Sequence, residues 1–261
     1  MTAGDRPSRR AVDLRKRYTV ADLDVLSAEE AQRFLGCGTG DPRSDVALAW
    51  ELLYRLEPEL YDRLASVERL QHGVLEWLPE SVDRIVEVGA GTGRLTLSLL
   101  GRACEIVAIE PAGPLREILV RKLSGTEGGN RVKVTAGFFD DLPVLDNWSD
   151  LVVACSALTP EAGHGGDVGL EEMERVCRPG GCVAIVWPNN VWWLQERGYR
   201  HVSFPGHMCV EFKSPEEAME LTEIFYPRAA GEVRRRATRR VSFDTLRINP
   251  PRDVAFKVMA A

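Results

Sequence analysis

Residues 84–93 read RIVEVGAGTG, a short apolar run that passes directly into three glycines at alternate positions. Residues 84–88 predict a buried strand, because a short apolar run bounded by glycine is typical of one. Glycine adopts positive φ without Cβ strain, so a turn at residues 89–93 allows the backbone to pass close to a ligand. The helix expected at residues 94–100 starts with unpaired N–H groups that suit a carboxylate.

Further apolar runs alternate with helical segments along the chain after this turn. Four of them predict strands, at residues 105–109, 132–134, 150–154 and 182–186. Helices are expected at residues 115–123 and 170–177, and Ser214 predicts the start of another helix. Short apolar strands that alternate with helices indicate a parallel sheet covered on both faces. The alternating segment Asp253–Val258 is expected to be a terminal edge strand of this sheet.

The first 80 residues show no strand pattern and predict an N-terminal helical cap. Ser27 and Glu30 have the spacing of a capping box, which predicts the start of a helix that Gly36 could close. We therefore expect a helical cap over residues 1–80. An α/β domain is expected over residues 81–261, with an insertion at about residues 199–245.

The composition is that of an ordinary globular enzyme, with 44% apolar and 28% charged residues and a formal net charge of −6. The negative charge disfavours a nucleic acid partner, although residues 6–17 and 234–240 are locally basic. No apolar run is long enough to cross a bilayer, and the first residues lack the apolar core of a secretory signal. We therefore expect a cytoplasmic protein without membrane contact. The cysteines form no CxxC pair, and we expect no metal site.

Two kinds of nucleotide ligand compete for the glycine turn. A dinucleotide site has the fingerprint GxGxxG, whereas this turn offers GxGxG and places Arg94 where the third glycine would fall. An arginine at that position would crowd the helix against the strand in the geometry used for NAD. Glu110 ends the second predicted strand, and its carboxylate can accept hydrogen bonds from both hydroxyls of a ribose. Together with the turn, Glu110 favours a ribose over an exposed structural role.

These residues resemble the ordered motifs of the class I S-adenosylmethionine-dependent methyltransferases. The matching pieces are residues 86–93, Glu110, residues 150–153 and residues 178–181, and the resemblance covers about residues 81–187. It implies a doubly wound, seven-stranded, mostly parallel α/β sheet whose last strand is antiparallel. S-adenosylmethionine would then lie across the tips of the first four strands. Its methionine end would be surrounded by the side chain of Glu87 and the backbone of the turn, namely Gly89, Ala90, Gly91 and Gly93.

One stretch departs from the family pattern. Members often read Gly-Asp-Ala followed by Leu-Pro after the third strand, with that aspartate on the adenine amino group. This chain reads GFFDDLP at residues 137–143, so Phe138 stands in the place of the aspartate. Three contacts with the adenine stay open: the aromatic face of Phe138, the backbone N–H of Phe139, and Asp140. Ser156, just past the fourth strand, matches the family position beside the sulfonium.

Methyl transfer from a sulfonium is an in-line displacement, so the protein must align the acceptor and, for a hydroxyl acceptor, remove a proton. Alignment can account for roughly 7 to 11 kcal/mol of the barrier, and a base can add about 10²- to 10⁴-fold. His164, in the loop after the fourth strand, is the first candidate for such a base; the alternative is a solvent-exposed loop histidine. An aromatic segment follows the fifth strand and suits either a flat acceptor or core packing: Trp187, Trp192, Trp193, Tyr199 and Phe204.

The sequence favours an enzyme that uses S-adenosylmethionine to methylate a small-molecule acceptor, such as a natural product or a small metabolite. The basic residues 234–240 are the one feature that supports methylation of RNA or protein instead. A third reading is a protein that binds S-adenosylmethionine without transferring its methyl group. A homodimer is compatible with each of these readings.

Overall fold

The computed structural model describes residues 14–35 and 40–261 of the chain. These residues divide into two compact units. One, called here the helical unit, contains the described residues up to Arg69 together with Gly206–Pro250. The other, the sheet unit, contains Leu70–Pro205 and Pro251–Ala261. The domain limits expected at residue 80 and at residues 199–245 remain predictions.

The described ranges contain nine strands and eleven α-helices. The strands are β1 (Val82–Val88), β2 (Ala103–Ile109), β3 (Val132–Thr135), β4 (Ser149–Cys155), β5 (Cys177–Val186), β6 (Arg200–Ser203), β7 (Cys209–Glu211), β8 (Arg240–Ser242) and β9 (Asp253–Val258). The helices are α1 (Ala28–Leu35), α2 (Val46–Leu56), α3 (Pro58–Val67), α4 (His72–Trp77), α5 (Thr96–Leu99), α6 (Gly113–Leu123), α7 (Gly166–Val176), α8 (Val191–Gln195), α9 (Pro215–Phe225), α10 (Pro227–Arg236) and α11 (Phe243–Leu246). None of these described helices has the length and apolar character that a membrane crossing requires.

The sheet unit is built on a seven-stranded sheet with the order β3-β2-β1-β4-β5-β9-β6. The strands from β3 to β5 pair in parallel, and β9 runs antiparallel to both of its neighbours. This arrangement confirms the predicted doubly wound, mostly parallel α/β sheet. The strand order reverses between β1 and β4, which opens a crevice at the carboxyl ends of these strands.

The prediction that Asp253–Val258 lies at the sheet edge is wrong. This strand, β9, pairs with β5 on one side and with β6 on the other, so β6 forms the edge. An alternating pattern of side chains reports which face of a strand is buried, but it does not report how many neighbours the strand has. Two-sided pairing is decided by distant parts of the chain.

The carboxyl-terminal halves of the central strands β1 and β2 lie in the core. In β1 and β2 the last four residues are buried, whereas the second and third residues of each strand are exposed. Val86 and Val88 pack into a large cluster on one face of the sheet, and Ala108 packs with Leu119 on the other. Full burial of one such aliphatic side chain contributes roughly 1.5 to 3 kcal/mol. These contacts fix the register of β1 and therefore the position of the glycine turn that follows it.

Helix α1 of the helical unit begins with the predicted capping box. The Ser27 N–H donates to Glu30 Oε2 at 2.9 Å, and the Glu30 N–H donates to Ser27 Oγ at 3.2 Å. Glu30 also pairs with the buried guanidinium of Arg55 at 2.6 Å, so the cap of α1 is tied to α2. The expected end of α1 at residue 36 lies outside the described residues.

Candidate functional site

The glycine turn follows β1 at the carboxyl edge of the sheet, as predicted. Gly89, Gly91 and Gly93 have φ values of +72°, +56° and +96°, a region that other residues rarely adopt. A Cβ on Gly89 would stand 2.6 Å from the Ala157 Cβ, and one on Gly93 would stand 2.7 Å from Leu119 Cδ1. The turn is therefore pressed against the loop after β4 and against α6, and glycine is the residue that fits. Hydrogen-bonded turns occupy residues 91–95, so α5 begins at Thr96 and is shorter than predicted.

Glu110 lies buried at the carboxyl end of β2 and binds the glycine turn directly. Its Oε2 accepts a hydrogen bond from the Gly91 N–H at 2.9 Å, and its Oε1 accepts one from the Ala112 N–H at 2.8 Å. The carboxylate thus holds the turn and the start of α6 in place. Its predicted contact with a ribose stays a prediction, but the side chain stands at the strand end where that contact was expected.

Glu87 is buried in β1, with 1% of its surface exposed. Its Oε2 has no hydrogen-bond partner among the described residues, and neither do the buried hydroxyls of Thr92 and Thr96. Burial raises the pKa of Glu87 to about 8; the nearby Thr96 lowers it in part, and the negative charge of Glu110 raises it further. Three buried polar atoms without partners therefore lie within ten residues of the chain around the glycine turn.

The segment after β3 places its two phenylalanines differently. The Phe139 ring lies against the glycine turn, 3.6 Å from the position of a Cβ on Gly89, and it also contacts the start of α7 at Gly165 and Gly169. Phe138 forms a short bridge with Asp141, and Asp140 is exposed. The ring of Phe139 therefore serves packing, while the three alternatives for the adenine contact stay predictions.

In two neighbouring strands, β4 and β5, the residue directly after the strand has a positive φ. Ser156 has φ +55° and Trp187 has φ +51°, a conformation that is costly for a residue with a side chain and is often found at functional sites. The guanidinium carbon of Arg94 lies 5.2 Å from the centroid of the Trp187 ring. Such a cation–π contact contributes roughly 0.5 to 2 kcal/mol. It links the glycine turn to the end of β5, a role that sequence reasoning missed because the two residues are far apart in the chain.

Known proteins share this arrangement of turn and strands. Residues 85–181 match the family model of a methyltransferase domain. The chain is 32% identical over 130 residues to an uncharacterized methyltransferase from Mycobacterium bovis, covering 48% of this chain and 49% of that protein. It is 27% identical over 106 residues to a ubiquinone/menaquinone biosynthesis C-methyltransferase from Geotalea daltonii, covering 40% of this chain and 44% of that protein. These matches indicate a methyltransferase domain within residues 85–181.

A solved structure shows the same fold over most of the chain. It is the complex of the Haloferax volcanii Trm112 methyltransferase activator with a putative methyltransferase. The TM-score is 0.51 at 15% identity, and the likeness covers 80% of this chain and 96% of that one. By contrast, this chain spans about half the length of the curated relatives it matches.

The site residues fit S-adenosylmethionine, the cofactor that the resemblance implies. The positive φ values of Gly89, Gly91 and Gly93 allow the backbone of the turn to approach a ligand without Cβ strain. The buried Glu87 Oε2 lacks a hydrogen-bond donor among the described residues, and a cationic ligand group would supply one. Both features lie at the strand ends where ligands bind in open α/β sheets.

His164 lies at the end of a short 3-10 helix, Ala162–His164, between β4 and α7. It is half-buried. Its carbonyl accepts from the Thr159 N–H at 3.0 Å, and its own N–H donates to the Glu161 carbonyl at 2.9 Å. The loop that carries the predicted base therefore has a hydrogen-bonded backbone.

His201 and His207 each lie near one other side chain of a metal-ligating type. His201 Nε2 lies 3.7 Å from Asp253 Oδ1 in the sheet unit, and His207 Nδ1 lies 3.7 Å from Cys209 Sγ in the helical unit. Across the part of the chain that the structure describes, no group of three or more metal-ligating side chains comes together.

Most of the aromatic residues after β5 belong to the core. Trp187, Trp193 and Tyr199 are each less than 9% exposed, whereas Trp192 on α8 is 68% exposed. Phe204 is half-buried and lies against Gly73. Trp192 is therefore the aromatic side chain of this segment that is accessible to an acceptor.

The basic residues 234–240 are largely paired with acidic side chains. Arg234 contacts Glu223, Arg236 contacts its helix neighbour Glu232 at 2.7 Å, and Arg239 contacts Glu211 at 3.0 Å. These pairs neutralise much of the positive charge that a phosphate backbone would need. The segment reads as a solvated surface of the helical unit.

Proposed function

We propose that this protein transfers the methyl group of S-adenosylmethionine to a small-molecule acceptor. The observation that carries the proposal is the glycine turn, which is closely packed, has positive φ at three positions and lies between the carboxylates of Glu87 and Glu110. A turn of the dinucleotide-binding type would have its third glycine where this chain has Arg94. The guanidinium of Arg94 instead lies over the Trp187 ring.

Each residue of the site has a distinct task in this proposal. The bound cofactor supplies an electrophilic methyl group. The backbone of residues 89–93 and the carboxylate of Glu87 hold its methionine end, and Glu110 accepts hydrogen bonds from its ribose hydroxyls. Ser156 lies beside the sulfonium, at the end of the strand next to β1. His164 takes the proton from a hydroxyl acceptor; for an acceptor that needs no deprotonation, alignment alone accelerates the reaction.

Two observations favour a small acceptor over a macromolecule. The ion pairs of Arg234, Arg236 and Arg239 reduce the positive surface that RNA would require. The exposed indole of Trp192 offers a flat apolar surface on the helix after β5. The name of the Geotalea daltonii relative, which refers to ubiquinone/menaquinone biosynthesis, is in keeping with such an acceptor.

The proposal is tested with cofactor that carries a tritium-labelled methyl group. The protein is incubated with three separate fractions of a bacterial extract, namely small metabolites, total RNA and total protein. We expect S-adenosylhomocysteine to form and the label to enter the metabolite fraction. Label in RNA or protein would overturn the small-molecule assignment. Tight binding of S-adenosylhomocysteine without turnover in any fraction would instead support a protein that binds the cofactor without transferring its methyl group.

A further inference from the structure

Two buried carboxyl groups flank the glycine turn, and their surroundings are opposite. Glu110 receives a backbone N–H on each oxygen, from Gly91 and from Ala112. Glu87 receives none on its Oε2, which is fully enclosed. Environments that differ in this way separate the protonation states of two neighbouring carboxyl groups, since hydrogen bonds stabilise the charged form and burial destabilises it.

No cation among the described residues compensates Glu87. Lys122 on α6 donates to the carbonyl of Thr92 at 3.0 Å, and Arg94 in the turn lies over Trp187. The charged group that acts on Glu87 is Glu110, whose negative charge disfavours a second one nearby. An isolated ionised carboxylate in an apolar interior is so costly that the group takes up a proton instead.

We propose that Glu87 carries a proton in the cofactor-free protein and releases it to solvent when the cofactor binds. This inference rests on the proposed function, because it needs a cationic ligand at the glycine turn. S-adenosylmethionine brings a sulfonium and an ammonium, and positive charge close to a buried carboxyl favours its ionised form. The balance is simple: Glu87 loses one O–H bond, solvent gains one proton, and the remaining carboxylate faces a cation.

The consequence is a cofactor affinity that depends on pH. Burial raises the pKa of Glu87 to about 8, so below that pH binding must displace a proton. We expect the affinity to rise about tenfold per pH unit from pH 6 to pH 8 and then to level off. The affinity for the product S-adenosylhomocysteine should depend less on pH than the affinity for S-adenosylmethionine. The product lacks the sulfonium charge and therefore stabilises the ionised form of Glu87 less.

Proton release is measured by titration calorimetry of the full chain with S-adenosylmethionine, in two buffers that differ in ionisation enthalpy. Glu87 of the wild-type protein should contribute release of about 0.9 proton per cofactor at pH 7 and about 0.1 at pH 9. Glu87→Gln should lack this contribution at both pH values, because the amide does not titrate. Glu105→Gln, at an exposed position of β2, is the matched control and should keep the wild-type counts.

The cofactor contributes a titration of its own, because its α-amino group has a pKa of about 7.7 to 8.0. The difference between the wild type and Glu87→Gln removes that contribution, since both proteins bind the same ligand. Equal proton counts in the two proteins would overturn the inference and leave the binding of the cofactor established. Absence of any binding would instead overturn the proposed function. Should Glu87→Gln fail to fold, release in the wild type at pH 6 decides, because the α-amino group of the cofactor is already protonated there. Release of about one proton supports the inference, and no release contradicts it.

Discussion

Gly89 and Gly101 share a backbone conformation but not an environment. Both have positive φ, at +72° and +84°, yet a Cβ on Gly89 would stand 2.6 Å from Ala157 while one on Gly101 would meet nothing within 4 Å. Alanine at either position costs about 1 kcal/mol of folding stability through backbone strain. Alanine at Gly89 also pushes the turn away from the loop after β4.

We therefore expect Gly89→Ala to weaken the binding of S-adenosylhomocysteine at least tenfold, because the turn can no longer keep its position. Gly101→Ala should bind as the wild type does and serves as the matched control. Calorimetry measures the affinities, and urea unfolding measures how much stability each variant loses. Equal affinities for the two variants would show that the close packing of the turn plays no part in binding.

At Glu110 the prediction separates two roles, holding the turn and binding the ribose. Wild-type protein should bind the 2′-deoxy analogue of S-adenosylhomocysteine at least tenfold more weakly than the parent compound, because a charge-assisted hydrogen bond contributes roughly 1.5 to 3 kcal/mol. Glu110→Ala should bind both compounds equally weakly. Glu105→Ala, on the same strand, should behave like the wild type. If the deoxy penalty persists in Glu110→Ala, the hydroxyl is bound by another group.

At the scale of elements, the loop between β4 and α7 positions the candidate base through its backbone. The Thr159 N–H binds the carbonyl of His164, and the Gly166 N–H binds the carbonyl of Thr159, each at 3.0 Å. Neither bond involves the imidazole ring, so the loop can keep its shape when the ring is removed.

His164→Ala is therefore expected to reduce kcat by about 10²- to 10⁴-fold for a hydroxyl acceptor, without change in cofactor affinity. The measurement is turnover with the acceptor that the labelling experiment identifies, alongside calorimetry with S-adenosylhomocysteine. His201→Ala, at the sheet edge on β6, is the control. Full turnover in His164→Ala would leave alignment as the source of the rate.

Several elements of the helical unit have no clear signature in the sequence. Helix α10 buries only Ala229 and Val233 and ends in three consecutive arginines, so its apolar period is too weak to identify it. By contrast, the predicted start at Ser214 is confirmed, because its hydroxyl accepts from the Glu217 N–H at the beginning of α9. Local hydrogen bonds near a helix start are encoded within a few residues, and such signals can be read directly.

At the scale of the whole molecule, the chain groups segments that are far apart in sequence. The N-terminal helices were predicted as a cap, but nothing in their pattern indicated that residues 206–250 join them in one compact unit. Contacts between side chains connect these two segments. The Trp50 ring stacks on Phe225 with the centroids 5.8 Å apart, and Arg63 forms an ion pair with Glu220 at 2.6 Å. Pairing of this kind leaves no periodic trace in either segment alone.

The sequence by itself determined the strand, the glycine turn and the acidic residue at the end of the next strand. These follow from short-range rules: apolar runs form buried strands, alternate glycines allow positive φ, and the end of β2 brings Glu110 to the carboxyl edge. Only the tertiary structure decided that Glu110 holds Gly91, that Arg94 lies over Trp187 and that Glu87 is enclosed without a donor. The reason is physical, because burial and long-range contacts set the protonation and the partners of a side chain, and both depend on residues that only folding brings together.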